Sequence, residues 1–170
     1  MHASARRAPA TISADWQPVG QPEISGLEIK EIRNVVFRNG ILTELFRSEW
    51  LDPPFSIAHA IYVTMTSQTS SPWHCHAQQR DVIIPVQGRF RIGFYDDREN
   101  SPSYRTSIVI NASILRPTYC VVPPGVWHAL RNPTTEPAAY VVFNDQPYIY
   151  EEPDDWILPV GTEAIPCSLE

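Results

Sequence analysis

Cysteine is scarce. The three that occur, Cys75, Cys120 and Cys167, are odd in number and far apart, so they offer no disulfide framework and point to a reducing, cytoplasmic setting. Clusters of Lys and Arg are missing too. Thirteen basic residues against nineteen acidic ones leave a formal net charge of -6, which argues against broad contact with a nucleic acid polymer. A single phosphorylated small molecule remains admissible, because it needs only a few well-placed cations. No apolar run approaches the ~20 residues of a membrane span, so no membrane partner is expected. The opening stretch carries Arg6 and Arg7 but no apolar core of a secretory signal, and residues 1–23 are expected to form a flexible arm.

Glycine is sparse as well, at seven residues against seventeen prolines, and the prolines fall between short β-rich runs; a helical bundle is excluded by that pattern. Candidate strands lie at 27–37, 41–47, 58–67, 81–87, 89–96, 106–112, 119–124, 128–132 and 138–144. Several alternate with period two; in RFRIGFYD, Phe90, Ile92 and Phe94 share one face. Turn signals stand at Asn39-Gly40, Gln87-Gly88, Asp96-Asp97, Pro123-Pro124-Gly125 and Asn132-Pro133. Many short strands at this spacing predict an all-β sandwich or barrel of jelly-roll type. With no internal repeat and no linker, residues 24–170 read as a single domain. The proline-punctuated tail 151–170 is expected to pack over the barrel.

The chemistry is concentrated in WHCHAQQRD. There His74 and His76 are followed, after four residues, by Asp81 and, after six more, by Gly88; Pro123-x-Gly125-x-x-His128-x-x-x-Asn132 comes later. These segments resemble the two motifs of the cupin superfamily, whose jelly-roll barrel carries an HxH pair, an acid and a glycine. Asp81 stands for the usual Glu. Residues i and i+2 of a strand share a face, so His74 and His76 would project together into the barrel, and a later histidine could meet them. Three imidazoles and a carboxylate (His74, His76, Asp81, His128) suit one divalent transition metal: Zn, Fe, Mn, Ni or Cu. Cys75, between the histidines, should face the other way and be structural.

A wider resemblance covers about Leu27 to Pro159. It is carried by GILTE, by His76 with VIIPVQGRF, by YDDRENSPSY, PPGVWHALRN and AAYVVFNDQPYIY, and by the closing DDWILP. In these segments the chain resembles the dTDP-4-dehydrorhamnose 3,5-epimerase family, itself of cupin fold, which needs no metal. The resemblance implies His76 as the catalytic base, Tyr140 as the acid and His128 as a pocket residue. It places Gly40, Leu42 and Glu44 where family members contact the nucleotide, makes Arg98 a structural brace, and implies a homodimer in which an early strand reaches the neighbouring pocket. Trp73 stands where the family has an arginine, and is assigned here to substrate binding; Asp81 stands where it has a lysine.

The leading expectation is therefore an epimerase or isomerase acting on a sugar nucleotide or related carbonyl compound, a 4-keto-6-deoxyhexose, by removing a proton next to the ketone. Such a proton leaves an enolate, which needs a base near working pH, a group to return the proton, and a donor for the oxyanion. Candidates for that donor are His74, His128, Arg47 and Arg80, or a bound metal acting as a Lewis acid. The alternative is a metal-dependent cupin isomerase or dioxygenase with the three-His, one-Asp site as ligands. A non-catalytic small-molecule sensor is the third class.

Overall fold

The computed structural model describes residue 2, residues 4–16 and residues 18–170. Twelve strands follow in order: β1 Glu28–Glu31, β2 Asn34–Phe37, β3 Gly40–Thr43, β4 His59–Met65, β5 Trp73–Cys75 and β6 Asp81–Gln87. Then come β7 Arg89–Asp96, β8 Ser107–Ser113, β9 Thr118–Val122, β10 Val126–Arg131, β11 Ala138–Asn144 and β12 Trp156–Leu158. A single 3-10 turn, Ser48–Trp50, is the only helical piece among the described residues, and no helix there is long and apolar enough to cross a membrane.

Two five-stranded sheets, ordered β1-β9-β6-β11-β4 and β12-β5-β10-β7-β8, face each other as a jelly roll, and β2 and β3 pair only with one another. The paired strands are antiparallel throughout. Phe90, Ile92 and Phe94 do share a face, and meet Ile83, Val122, Leu130 and Val142 between the sheets. The expected run 27–37 divides into β1 and β2, and the short strands β5 and β12 carry no pattern long enough to reveal them.

Both outer faces are covered as well. Ile32, Leu51 and Phe55 lie over Val82, Ile84 and Val121 of the first sheet, while Ile165 and Leu169 of the tail lie over Trp73, Tyr95 and Ala129 of the second. This explains why β6 and β9 read as near-continuous apolar runs, since a strand buried on both faces has no polar side to show. The described residues before Ile24 are exposed, apart from half-buried Ser13.

Two local features position the site. Pro85 lies inside β6, a strand with neighbours on both sides, where its missing N–H cannot join the ladder. The register shifts there, from Ala139 opposite Gln87 to Tyr140 opposite Pro85, so the extra residue falls in β6, while β11 keeps its alternation and sends Ala138, Tyr140 and Val142 inward. At the start of β10, Gly125 adopts φ +78°, and its N–H donates to the His76 carbonyl at 2.7 Å. The segment bearing His128 is thereby tied to the one bearing His76.

Candidate active site

Strand parity builds the histidine wall. On β5, Trp73 and Cys75 point outward and are buried, while His74 points inward, directly opposite His128 of β10. His76, one residue past the strand, keeps the inward parity. The rings of His74 and His76 lie 6.2 and 5.6 Å from that of His128. All three line a cavity of about 600 Å³, together with Asp81, Tyr140 and Asn144 from the first sheet. That volume suits a small ligand or the sugar portion of a larger one.

Asp81 is clamped. Its Oδ1 accepts from Gln79 Nε2 and Asn144 Nδ2, each at 2.7 Å. Its Oδ2 faces His76 Nε2 at 3.2 Å and His128 Nε2 at 3.4 Å, with side-chain exposure of only 12% for His76 and 5% for the other two. Burial alone would raise the Asp81 carboxyl, but the hydrogen bonds and charges of His128 and His76 outweigh it and hold the group far below the carboxylate range. His76 shows the complementary effect. Burial lowers it, yet the bond to Asp81 and its charge, with the Asp154 carbonyl on Nδ1, lift it to about 9. Both ring nitrogens of His76 therefore meet acceptors, and the ring is an imidazolium at neutral pH.

His74 is held differently. Its Nδ1 lies 2.9 Å from Asp155 Oδ1, and among the described residues nothing bonds its Nε2. Asp154, the neighbour of Asp155, accepts the backbone N–H groups of Ala77, Gln78 and Gln79 through its carboxylate. Burial would raise that carboxyl, and the three amides hold it low. Tyr140 stands edge-on to Phe90 at 5.6 Å, and its hydroxyl has no partner among the described residues. Burial, then the charge of Asp81, push the phenol upward, so it stays protonated.

Several expected site residues fall elsewhere. Trp73 is 2% exposed on the outer face of the second sheet, away from the cavity. Gly93 beneath it leaves the room its indole fills: a Cβ there would come within 2.8 Å of the ring and 2.7 Å of Leu169. Its odd parity with Cys75, whose thiol burial pushes up to about 11, is the reason. Gly40, Leu42 and Glu44 are exposed on or just after the β2–β3 hairpin, which joins neither sheet, and none of them lines the cavity. His74 does not join the metal-ligand set proposed for it; the donors lying within 4.8 Å of one another are those of His76, Asp81 and His128. That trio could hold a divalent cation, with three ligands rather than four.

Arg80 is turned away to Asp145 at 2.7 Å and stacks on Phe55, and Arg47 pairs with Glu44 and Glu49. No Lys or Arg occurs among the described residues that line the cavity. Arg98 braces the fold, gripping the fully buried Asp96 at 2.7 Å and the Ser25 carbonyl at 2.6 Å. Asp154, Asp155 and Asn144 are functional neighbours that sequence reasoning did not single out. The Asp-Asp pair of DDWILP was the available signal, but its partners lie 78 and 81 residues away.

Comparison with known proteins fits this architecture. The sequence matches the family described as Cupin over residues 33–159. The chain belongs to the cupin family. A curated relative from Haloferax volcanii, named as a probable low-salt glycan biosynthesis epimerase, is 31% identical over 149 residues, spanning 81% of this chain and 89% of its own. Among solved structures, a dTDP sugar isomerase from Desulfovibrio desulfuricans superposes with a TM-score of 0.78 at 20% identity, over 86% of this cupin and 92% of that chain. The dTDP-4-dehydrorhamnose 3,5-epimerase of Bacillus anthracis, solved with TDP and pyrophosphate bound, gives 0.76 at 16% identity over 86% of each chain. At those identities the likeness is one of fold.

Proposed function

We propose that this cupin is a sugar-nucleotide epimerase that needs no cofactor and inverts a carbon next to the ketone of a nucleotide-linked 4-keto-6-deoxyhexose. One observation carries the reading: the histidines on one sheet face the unbonded Tyr140 hydroxyl on the other across a single cavity. Inversion requires removal of a proton from one face and its return to the opposite face, which two facing walls provide. The name of the curated relative supports an epimerase of glycan biosynthesis, and the dTDP sugars in the names of the solved structures support a nucleotide-linked substrate.

His76 contributes the positive charge that a developing enolate requires, in a cavity lined by no lysine or arginine. The family resemblance assigns proton abstraction to His76, a role open to it only once its Nε2 is released from Asp81. Tyr140 returns the proton. The β2–β3 hairpin, with Gly40, Leu42 and Glu44, covers the cavity of a second copy, so the enzyme acts as a homodimer in the cytoplasm. Incubating the protein with a dTDP-linked 4-keto-6-deoxyhexose in D2O tests the reading by proton NMR. Deuterium should enter at a carbon flanking the ketone, and a wild-type protein that incorporates none ends it.

A further inference from the structure

We infer that His74, oriented by Asp155, is the base that removes the substrate proton, and that His76, with both ring nitrogens on acceptors, is the hydrogen-bond donor to the enolate. This assignment rests on the epimerase reading and divides the work between the histidines differently from the family resemblance.

A base needs a nitrogen lone pair open to the substrate. His76 has none in this structure, because Nδ1 donates to the Asp154 carbonyl and Nε2 to Asp81 Oδ2 at 3.2 Å. His128 is similarly committed: Nδ1 donates to the Val126 carbonyl at 3.2 Å, and Nε2 faces Asp81 Oδ2 at 3.4 Å. His74 differs from both. Its Nδ1 donates to Asp155 Oδ1 at 2.9 Å, which fixes the tautomer with the lone pair on Nε2. That nitrogen belongs to a residue lining the cavity and has no partner among the described residues. The His74 and Asp155 side chains are 31% and 34% exposed, so a proton taken from substrate can pass on to solvent.

The arrangement also gives each charge a place. As the C–H bond beside the ketone breaks, its proton goes to His74 Nε2, and the bonding pair forms the enolate double bond while the carbonyl oxygen becomes an oxyanion. As the oxyanion forms it replaces Asp81 Oδ2 as the acceptor of the His76 Nε2–H, and Asp155 stabilises the imidazolium forming on His74. Tyr140 then protonates the carbon from the opposite sheet. A new C–H bond forms, the carbonyl is restored, and the phenolate and His74 exchange their proton difference with solvent. No oxidant or metal enters the balance.

The test is solvent deuterium incorporation into a dTDP-linked 4-keto-6-deoxyhexose, with affinity measured separately by calorimetry. His74→Gln should lower incorporation by about 100-fold or more while leaving affinity within a few fold. Asp155 is a positioning residue, so Asp155→Asn should lower incorporation about tenfold and Asp155→Glu should recover part of it. Long-range nitrogen–proton spectra of the imidazoles give a second readout without substrate. The neutral form of His74 should carry its proton on Nδ1, and His76 should be protonated on both nitrogens. Incorporation that survives His74→Gln, or a neutral His74 ring with its proton on Nε2, overturns the assignment while the epimerase reading stands. A wild-type protein that incorporates no deuterium overturns both.

Discussion

His76 Nε2 and Asp81 Oδ2 lie 3.2 Å apart in a pocket that excludes most water, with the second nitrogen of the imidazole on the Asp154 carbonyl. The carboxylate occupies the sequence position at which the resembled family keeps a lysine. Asp81 favours a proton on the neighbouring ring, so a positive charge stands on His76 although the ion pair as a whole is neutral.

The pair makes stability depend on pH in a defined direction. His76 is raised from its ordinary 6.5 to about 9, so its contribution is fully present below about 6.5 and is lost as pH rises through about 9. Asp81 is lowered, so its contribution is present above the ordinary carboxylate pKa and fades only in strong acid. Asp154, Asp155 and His128 are the other titratable groups around the ring. Thermal melts of the wild type should lose stability between pH 7 and 10, and Asp81→Asn should flatten that slope; parallel slopes for the two proteins would contradict the pairing.

Asp81→Asn should also reduce turnover at neutral pH by roughly 100-fold, the usual cost of removing one oxyanion donor. Gln79 and Asn144 can still donate to the remaining amide oxygen, which keeps the variant folded. Steady-state kinetics read the effect in kcat, and a rise in rate would instead identify His76 as the base.

Tyr140→Phe separates chemistry from packing. The ring keeps its edge-on contact with Phe90, and the hydroxyl has no hydrogen bond to lose among the described residues. The melting temperature should hold, while epimerised product falls by about 100-fold or more. An unchanged product yield in chiral analysis rules out the acid role.

Trp73→Ala should do the reverse. Removing an indole packed against Gly93 and Leu169 costs about 3–5 kcal/mol of stability. Activity per folded molecule should be kept, because the side chain lies outside the cavity. A variant with wild-type stability but raised KM would restore Trp73 to the substrate site.

Metal dependence is open to a direct measurement. Elemental analysis of protein purified without chelator should give well under one equivalent of any transition metal, and EDTA should leave deuterium incorporation unchanged. A stoichiometric ion whose removal abolishes incorporation would favour the trio of His76, Asp81 and His128 as ligands.

Much of the fold is legible from short-range pattern. β6, β7 and β11 coincide with their expected runs, because apolar runs bounded by turn residues leave little freedom. β5 escapes because three residues cannot show a period, although the parity argument for His74, Cys75 and His76 holds without it. The same parity places Trp73 outward with Cys75, against the pocket role implied by the family position of an arginine. Pairings of His74 with Asp155 and His76 with Asp154 were hidden for another reason. They depend on β12 lying along β5, a contact between segments about 80 residues apart that no local signal encodes.

Residues 154 and 155 act as a clasp on the histidine wall, one through its carbonyl and the other through its carboxylate. β1 to β11 all precede both residues in the chain. The walls of the cavity and the groups that orient His74 and His76 thus come from separate stretches of sequence. A chain cut after Asn144 would retain the cavity's principal strands but lose the order of its histidines.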